Sequence, residues 1–238
     1  MARRAALPVF LGLLCALFTG LGYWQLERRT WKLDLIEQIE QQLRRTPAPA
    51  PGPSSWNTLG KRDAYRPVRL TGRFLHDRET RVQAMTEHGS GYWLLTPLRS
   101  ERGFTVLVNR GFVDFEHKAA NARPGSNAPG RVEITGLLRL TEPDGRLFQD
   151  NRPDEGRWYS RDVQAIGRQQ RLDADQLAPY FVDADASPLN ASWPIGGLTV
   201  TRLRNAHLGY ALTWFSLAGL CLLGLLIVLR QARRDRPQ

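Results

Sequence analysis

Asn205-Ala206-His207-Leu208-Gly209-Tyr210-Ala211 runs without a break into a hydrophobic segment that ends at Leu229. From Gly209 to Leu229 no side chain carries charge, and at about 1.5 Å of rise per residue roughly 20 residues of apolar helix cross the hydrocarbon core of a bilayer. Residues 207–229 are therefore expected to form a transmembrane helix. His207 stands just before the uncharged run, one turn from Tyr210 and two from Trp214, whose amphipathic rings suit the headgroup level. An imidazole is thus placed at a membrane–water boundary. There it either hydrogen-bonds nearby backbone or serves as a metal or haem ligand, since neutral imidazole is the commonest metal ligand near neutral pH.

The opposite end carries a second such segment. Residues 1–4, with Arg3 and Arg4, precede an uncharged stretch over 5–26 that is long enough to span. A secretory signal peptide is the alternative. Leu14, not a small residue, stands before Cys15, and the apolar run outlasts an ordinary signal core and continues into Tyr23-Trp24, so an uncleaved anchor is expected. Two spans put both termini on one side of the membrane. The basic ends, including the tail 230–238, favour the cytoplasm, although Arg28, Arg29, Lys32, Arg202 and Arg204 make the opposite flanks basic too.

The net charge of +10 over 238 residues would suit a nucleic-acid partner, but half of that excess sits at the two ends beside the apolar segments. The remainder is spread thinly, with no dense Lys/Arg block, so nucleic acid is not an expected partner. The 2 cysteines, Cys15 and Cys221, both fall inside the hydrophobic segments. The intervening domain therefore holds neither a disulfide nor a thiolate metal site.

After the first span, residues 27–45 keep a helical spacing through Leu33, Ile36, Ile39 and Leu43, which predicts a juxtamembrane helix. Residues 46–60 contain prolines 47, 49, 51 and 53 at alternate positions, which forbid helix and predict an extended linker. Over 61–204 the period changes to two. Strands are expected at Tyr65–Phe74, Thr80–Met85, Tyr92–Leu98, Phe104–Val113, Val132–Leu140, Trp158–Ser160, Tyr180–Asp183 and Leu198–Leu203, separated by Gly, Pro, Asn and Asp clusters. Short helices are expected over Val163–Gln170 and Asp173–Leu177, with Asp162 and Asp173 as N-caps. The fold class that follows is a membrane protein with two transmembrane helices flanking a mainly β extramembrane domain, an antiparallel sheet or small barrel with one or two short helices.

No catalytic constellation is recognisable in that domain. His76, His88 and His117 are dispersed in polar surroundings and read as surface residues, and Ser100 and Ser160 lack the glycine-flanked elbow of a hydrolase nucleophile. Gly196-Gly197 lacks the Lys and Ser/Thr of a nucleotide cradle. Asn109-Arg110 interrupts an otherwise apolar strand. A buried or edge ion pair explains it, and contact with a partner or an anionic group is the alternative, so both residues are candidate partner contacts.

In order and spacing these stretches resemble the Surfeit locus protein 1 family, the membrane-anchored assembly factors of haem–copper cytochrome oxidase. The resemblance runs through Gly22–Lys32 with its Trp-Gln and Arg-Arg pairs, Tyr65–Phe74, Gly91–Leu98, Val108–Phe112, Gly136–Arg139, Asn151-Arg152-Pro153 with Trp158-Tyr159 and Asp162, Pro194–Gly197 and Asn205–Phe215. This chain departs from the family pattern at Ala206, Gly209 and Asp114, and it retains the histidine.

The resemblance implies a factor that delivers haem A to cytochrome oxidase subunit I or helps insert it, with His207 as axial ligand. It also implies a β domain outside the cytoplasmic membrane, in a bacterium the periplasm, and contacts with subunit I and with haem A synthase or other oxidase assembly factors. Arg202, Arg204, Arg28 and Arg29 are then candidates to pair with the haem propionates, and Tyr210, Trp214 and Trp24 to pack at the interface beside the haem. The alternative within the same resemblance is a scaffold that holds a subunit I intermediate without binding haem. A membrane-bound enzyme and a signalling ectodomain are weaker readings, the first for want of a catalytic constellation and the second for want of an output domain.

Overall fold

In the computed structural model a single helix α1 occupies Ala2–Leu43, and a second long helix, His207–Arg234, closes the described chain. The described residues are 2–127, 129–146, 149–185, 192–201 and 203–234, with the side chains of 2–5 excepted. No break separates the span from the juxtamembrane helix expected after it, because the apolar and mixed stretches share one helical spacing up to Leu43. Pro8 lies inside α1, which begins at Ala2; membrane helices tolerate the carbonyl such a proline leaves unbonded.

The two long helices form one compact unit of the chain, over Met1–Gln38 and Arg202–Gln238. Both are long and apolar enough to cross a membrane, and little of either apolar window is buried. Leu13, Leu17, Leu212, Leu220 and Leu223 are exposed on their outer faces. Exposed leucines on two neighbouring helices suit lipid, as water would penalise each of them. The facing sides carry small residues: Gly22, Ala211 and Ala218 are buried. Leu11 meets Gly224, Phe18 stacks on Trp214 with ring centroids 5.6 Å apart, and Gly22 lies under Phe215. The residue numbers rise along one helix as they fall along the other, so the pair is antiparallel, and its seam on α1 repeats every three or four residues as packed helices require.

The second unit, Ile39–Thr201, is built on strands β1 (Ala48–Pro49), β2 (Pro67–Phe74), β3 (Thr80–Thr86), β4 (Gly89–Ser100), β5 (Thr105–Val113), β6 (Val132–Leu140) and β7 (Leu177–Ala184). They pair in the order β1-β2-β6-β7-β5-β4-β3, and an additional β2–β4 pairing closes β2, β6, β7, β5 and β4 into a five-stranded barrel. All pairs within the barrel are antiparallel except β5 with β7. Gly72 makes the corner: it pairs with Val132 on one side and Ser100 on the other, and a Cβ there would fall 2.2 Å from the Arg99 carbonyl oxygen.

Alternation along the strands divides the core in two. Val68, Leu70, Leu98, Val106, Val108, Leu138, Tyr180 and Val182 fill one cluster. Leu107 and Phe181, the residues between, join Val82, Leu95 and Trp158 in a second cluster. Helix α2 (Val163–Gln169) adds Val163 and Ile166 to that second cluster, which is why every residue of β5 is buried. Asp162 caps α2 as expected, its side chain accepting from Ala165 N; Asp173 instead caps only a turn of 3-10 helix, Ala174–Gln176.

Three expectations for this unit change. Trp158–Ser160 contributes a lone bridge, Val82 to Trp158, because the buried Trp158 ring plugs the second cluster. Leu198–Leu203 forms no strand among its described residues. Val200 is two-thirds exposed there, so the alternation serves no buried face. The Pro-rich stretch is extended only in its first part, turns into a 3-10 helix over Pro53–Thr58, and is no free spacer. Ala48 and Pro49 pair in parallel with β2, Ala50 is buried in the first cluster, and the Tyr180 hydroxyl and the Trp56 Nε1–H both donate to the Pro51 carbonyl at 2.7 and 3.1 Å. Prolines remove backbone donors but leave the acceptors that such side chains use.

Candidate functional site

His207 opens the second long helix, α3 (His207–Arg234), and its ring is held by α1. Nδ1 of His207 lies 2.7 Å from Oε1 of Gln25, a residue 182 positions away in sequence and inside the uncharged segment of α1. The backbone is held as well: Asn205 Oδ1 accepts from the His207 N–H at 3.3 Å, and Asn205 Nδ2 donates to the carbonyl of Arg29 at 3.4 Å. Gln25 and Arg29 stand one turn apart on α1, so two rungs fix the start of α3. Among the described residues Nε2 of His207 has no hydrogen-bond partner, and the ring as a whole is half-buried.

The aromatic candidates divide. Tyr210 and Trp24 are exposed on the helix pair, one turn after His207 and one residue before Gln25. Trp214 is engaged in the stack on Phe18, so one of its faces is already covered. Of the basic candidates, Arg28 lies over the Trp31 ring at 4.5 Å, Arg29 is half-buried and Arg204 is exposed. None of these three makes an ion pair among the described residues. Arg202 lies outside the described residues.

Asn109 and Arg110 belong to the barrel and are 5% and 7% exposed. Asn109 donates to Asp183 at 2.7 Å, where Arg139, Arg161 and the Thr199 hydroxyl also donate, at 3.0, 3.2 and 3.0 Å. Arg161 continues to Glu142. Burial disfavours the Glu142 carboxylate, but the hydrogen bonds and charge of Arg161 outweigh it and hold its pKa below the usual carboxylate range. Arg161 is shifted upward for the reciprocal reason: burial opposes its charge, and Asp183 and Glu142 overcome that.

Arg110 donates to Asn127 at 3.0 Å and to the Ser126 carbonyl, lies 3.6 Å from Glu79, and covers the Phe74 ring at 5.3 Å. Arg123, buried as well, pairs with the same Glu79 at 2.7 Å. Burial lowers the Arg110 pKa, Glu79 raises it, and the like charge of Arg123 lowers it further. These donors are spent within the domain. Both side chains are buried, Asn109 in a hydrogen bond to Asp183 and Arg110 in an ion pair with Glu79. The histidines expected at the surface are mixed. His88 is exposed, whereas His76 is half-buried beside Phe74, and His117 stacks on Trp193 at 4.4 Å while bonding Asp114 at 2.7 Å.

Comparison with known proteins places this arrangement. Residues 12–219 match the model of the SURF1 family, a span that begins within α1, ends within α3 and takes in the whole barrel. The chain belongs to the SURF1 family. It is similar to Surfeit locus protein 1 of Rattus norvegicus, at 35% identity over 85% of this chain and 68% of the relative, and of Mus musculus, at 36% over 89% and 71%. A SURF1-like protein of Drosophila melanogaster is 34% identical over 91% of this chain and 75% of its own length. The SURF1 match contains both Gln25 and His207. Gln25 is the residue of this site that the sequence left without a role. A lone amide in an uncharged span was the available signal, because polar side chains at such depth require a partner.

Proposed function

We propose that this SURF1-family chain is a non-enzymatic assembly factor for haem–copper cytochrome oxidase, anchored by two spans, which holds haem A at His207 and passes it to oxidase subunit I. Both ends of the chain are read as cytoplasmic, with the barrel on the far side of the cytoplasmic membrane of a bacterium, the face on which the other assembly factors would meet it. The single observation that carries the haem reading is the Nε2 of His207, without a hydrogen-bond partner among the described residues, at the edge of an apolar helix pair, with Nδ1 engaged by Gln25.

The donor set fits the cargo. One neutral imidazole would hold the haem iron, exposed Trp24 and Tyr210 offer aromatic surface beside it, and Arg28, Arg29 and Arg204, which lack carboxylate partners among the described residues, would be left for propionates. A carrier that must release its cargo is better served by one protein ligand than by two. The test is the visible spectrum of the detergent-purified protein from cells that synthesise haem A, beside His207→Ala. A haem A spectrum lost in the variant supports the carrier. Absence of haem from both proteins, with oxidase assembly still dependent on the chain, supports the scaffold instead.

A further inference from the structure

We propose that Gln25 is a positioning residue for His207. By accepting the Nδ1 proton it fixes the neutral ring as the Nδ1–H tautomer and leaves the lone pair on Nε2. The inference rests on the reading of His207 as an axial ligand only for its consequence, and on the geometry for its premise.

The premise follows from valence. A neutral imidazole carries one N–H and one lone pair, and an amide oxygen only accepts. A contact of 2.7 Å between His207 Nδ1 and Gln25 Oε1 therefore assigns the proton to Nδ1. Free neutral imidazole side chains favour the other tautomer, with the proton on Nε2, which cannot bind a metal through that nitrogen. Both side chains are half-buried between the helices, where each pairs with the other. The Asn205 rung holds the backbone of His207 to Arg29 one turn along α1, so the Cα from which the ring extends is fixed on the side of α1 that carries Gln25.

The consequence is the arrangement that metal-binding histidines use generally, in which the far ring nitrogen donates to an acceptor that sets ring orientation and raises ligand basicity. Here the acceptor comes from the partner helix. Axial ligation at Nε2 would thus depend on the two long helices being in register, which ties cargo holding to the integrity of the pair.

The test uses the full chain in lipid nanodiscs with 15N-labelled histidine, at about pH 8 so that imidazole of ordinary pKa is neutral. The His207 signals are identified by their loss in His207→Ala. The expected result is an Nδ1–H ring in the haem-free wild type, a shift toward Nε2–H in Gln25→Leu, and retention of Nδ1–H in Gln25→Glu, which keeps the acceptor. An Nε2–H ring in the wild type overturns the proposal, as does a tautomer unchanged in a Gln25→Leu protein that keeps wild-type helix content by circular dichroism. Titration with ferric haem A then reads the consequence. Gln25→Leu is expected to weaken binding roughly 10–100-fold, as loss of an outer-sphere partner does at other metal sites. Gln25→Glu is expected to retain binding and to lower the haem reduction potential, because a stronger acceptor makes the imidazole a better donor to ferric iron. Equal haem affinity in wild type and His207→Ala would remove His207 as the haem ligand while leaving the tautomer result standing, so the two failures are distinguishable.

Discussion

The ring of Phe215 occupies the space in which a side chain on Gly22 would begin: a Cβ at Gly22 would fall 2.6 Å from Cε1 of that ring. With no hydrophobic drive between helices in lipid, close approach over a small residue is the main source of their association. Cys15 and Cys221 continue the three-and-four spacing of the two seams between the Leu11–Gly224 and Phe18–Trp214 contacts, and both are half-buried free thiols. A short bifunctional thiol reagent is expected to link them within one chain, seen as a mobility shift on denaturing gels. Gly22→Leu is expected to abolish most of that product, and undiminished linkage in the variant would remove the glycine's role.

Glu79 answers two buried guanidiniums, those of Arg110 and Arg123. Replacing it with Gln leaves like charges facing each other in a place that burial already makes unfavourable to charge. Removing one partner from a buried pair costs about 3–5 kcal/mol, far more than an exposed pair contributes. Glu79→Gln is expected to lower the unfolding free energy of the barrel, obtained from denaturant titration, by an amount in that range. By contrast Glu101→Gln, which breaks the solvent-exposed pair with Arg131, should leave it nearly unchanged.

The pH dependence of the barrel has a named source. Arg161 holds the pKa of Glu142 below its unfolded value, so the unfolded chain takes up the proton first as pH falls. Glu142 therefore contributes stability that is fully present above about pH 4.3, the ordinary glutamate pKa, and is lost as pH falls through its lower folded value. Thermal midpoints measured down the acid limb should decline less steeply in Glu142→Gln than in the wild type. Parallel limbs would show that the Arg161–Glu142 bond carries no linkage.

The parts of this architecture that repeat locally are the parts the sequence shows. Uncharged runs declare the two spans, and the alternation of Val106, Leu107 and Val108 declares a strand with two buried faces. Asp162 before Val163 declares the start of α2. What the sequence hides is set by contacts between distant residues. That β2 meets β4 as well as β6 depends on an approach at Gly72 that only the folded sheet reveals, which is why sheet and barrel were equally good expectations. The Pro-rich stretch reads as a spacer because prolines break regular structure, yet its carbonyls were free to accept from Tyr180 and Trp56. His207 is conspicuous as the imidazole beside an apolar run, whereas Gln25 acquires meaning only from a partner 182 residues away.

Closure of the barrel leaves two strand margins. One is β1, two residues long and ending in a proline that cannot donate; the other is β3, where the Gln83 N–H already donates to the Trp158 carbonyl at 2.8 Å and Arg146 reaches the Gln83 carbonyl. An incoming strand would find neither a continuous run of donors nor a flat edge to extend. The domain is thereby guarded against adding strands from its own copies or from unfinished neighbouring chains. Recognition by an added strand, which relies on a run of free backbone groups, is thus disfavoured at both margins.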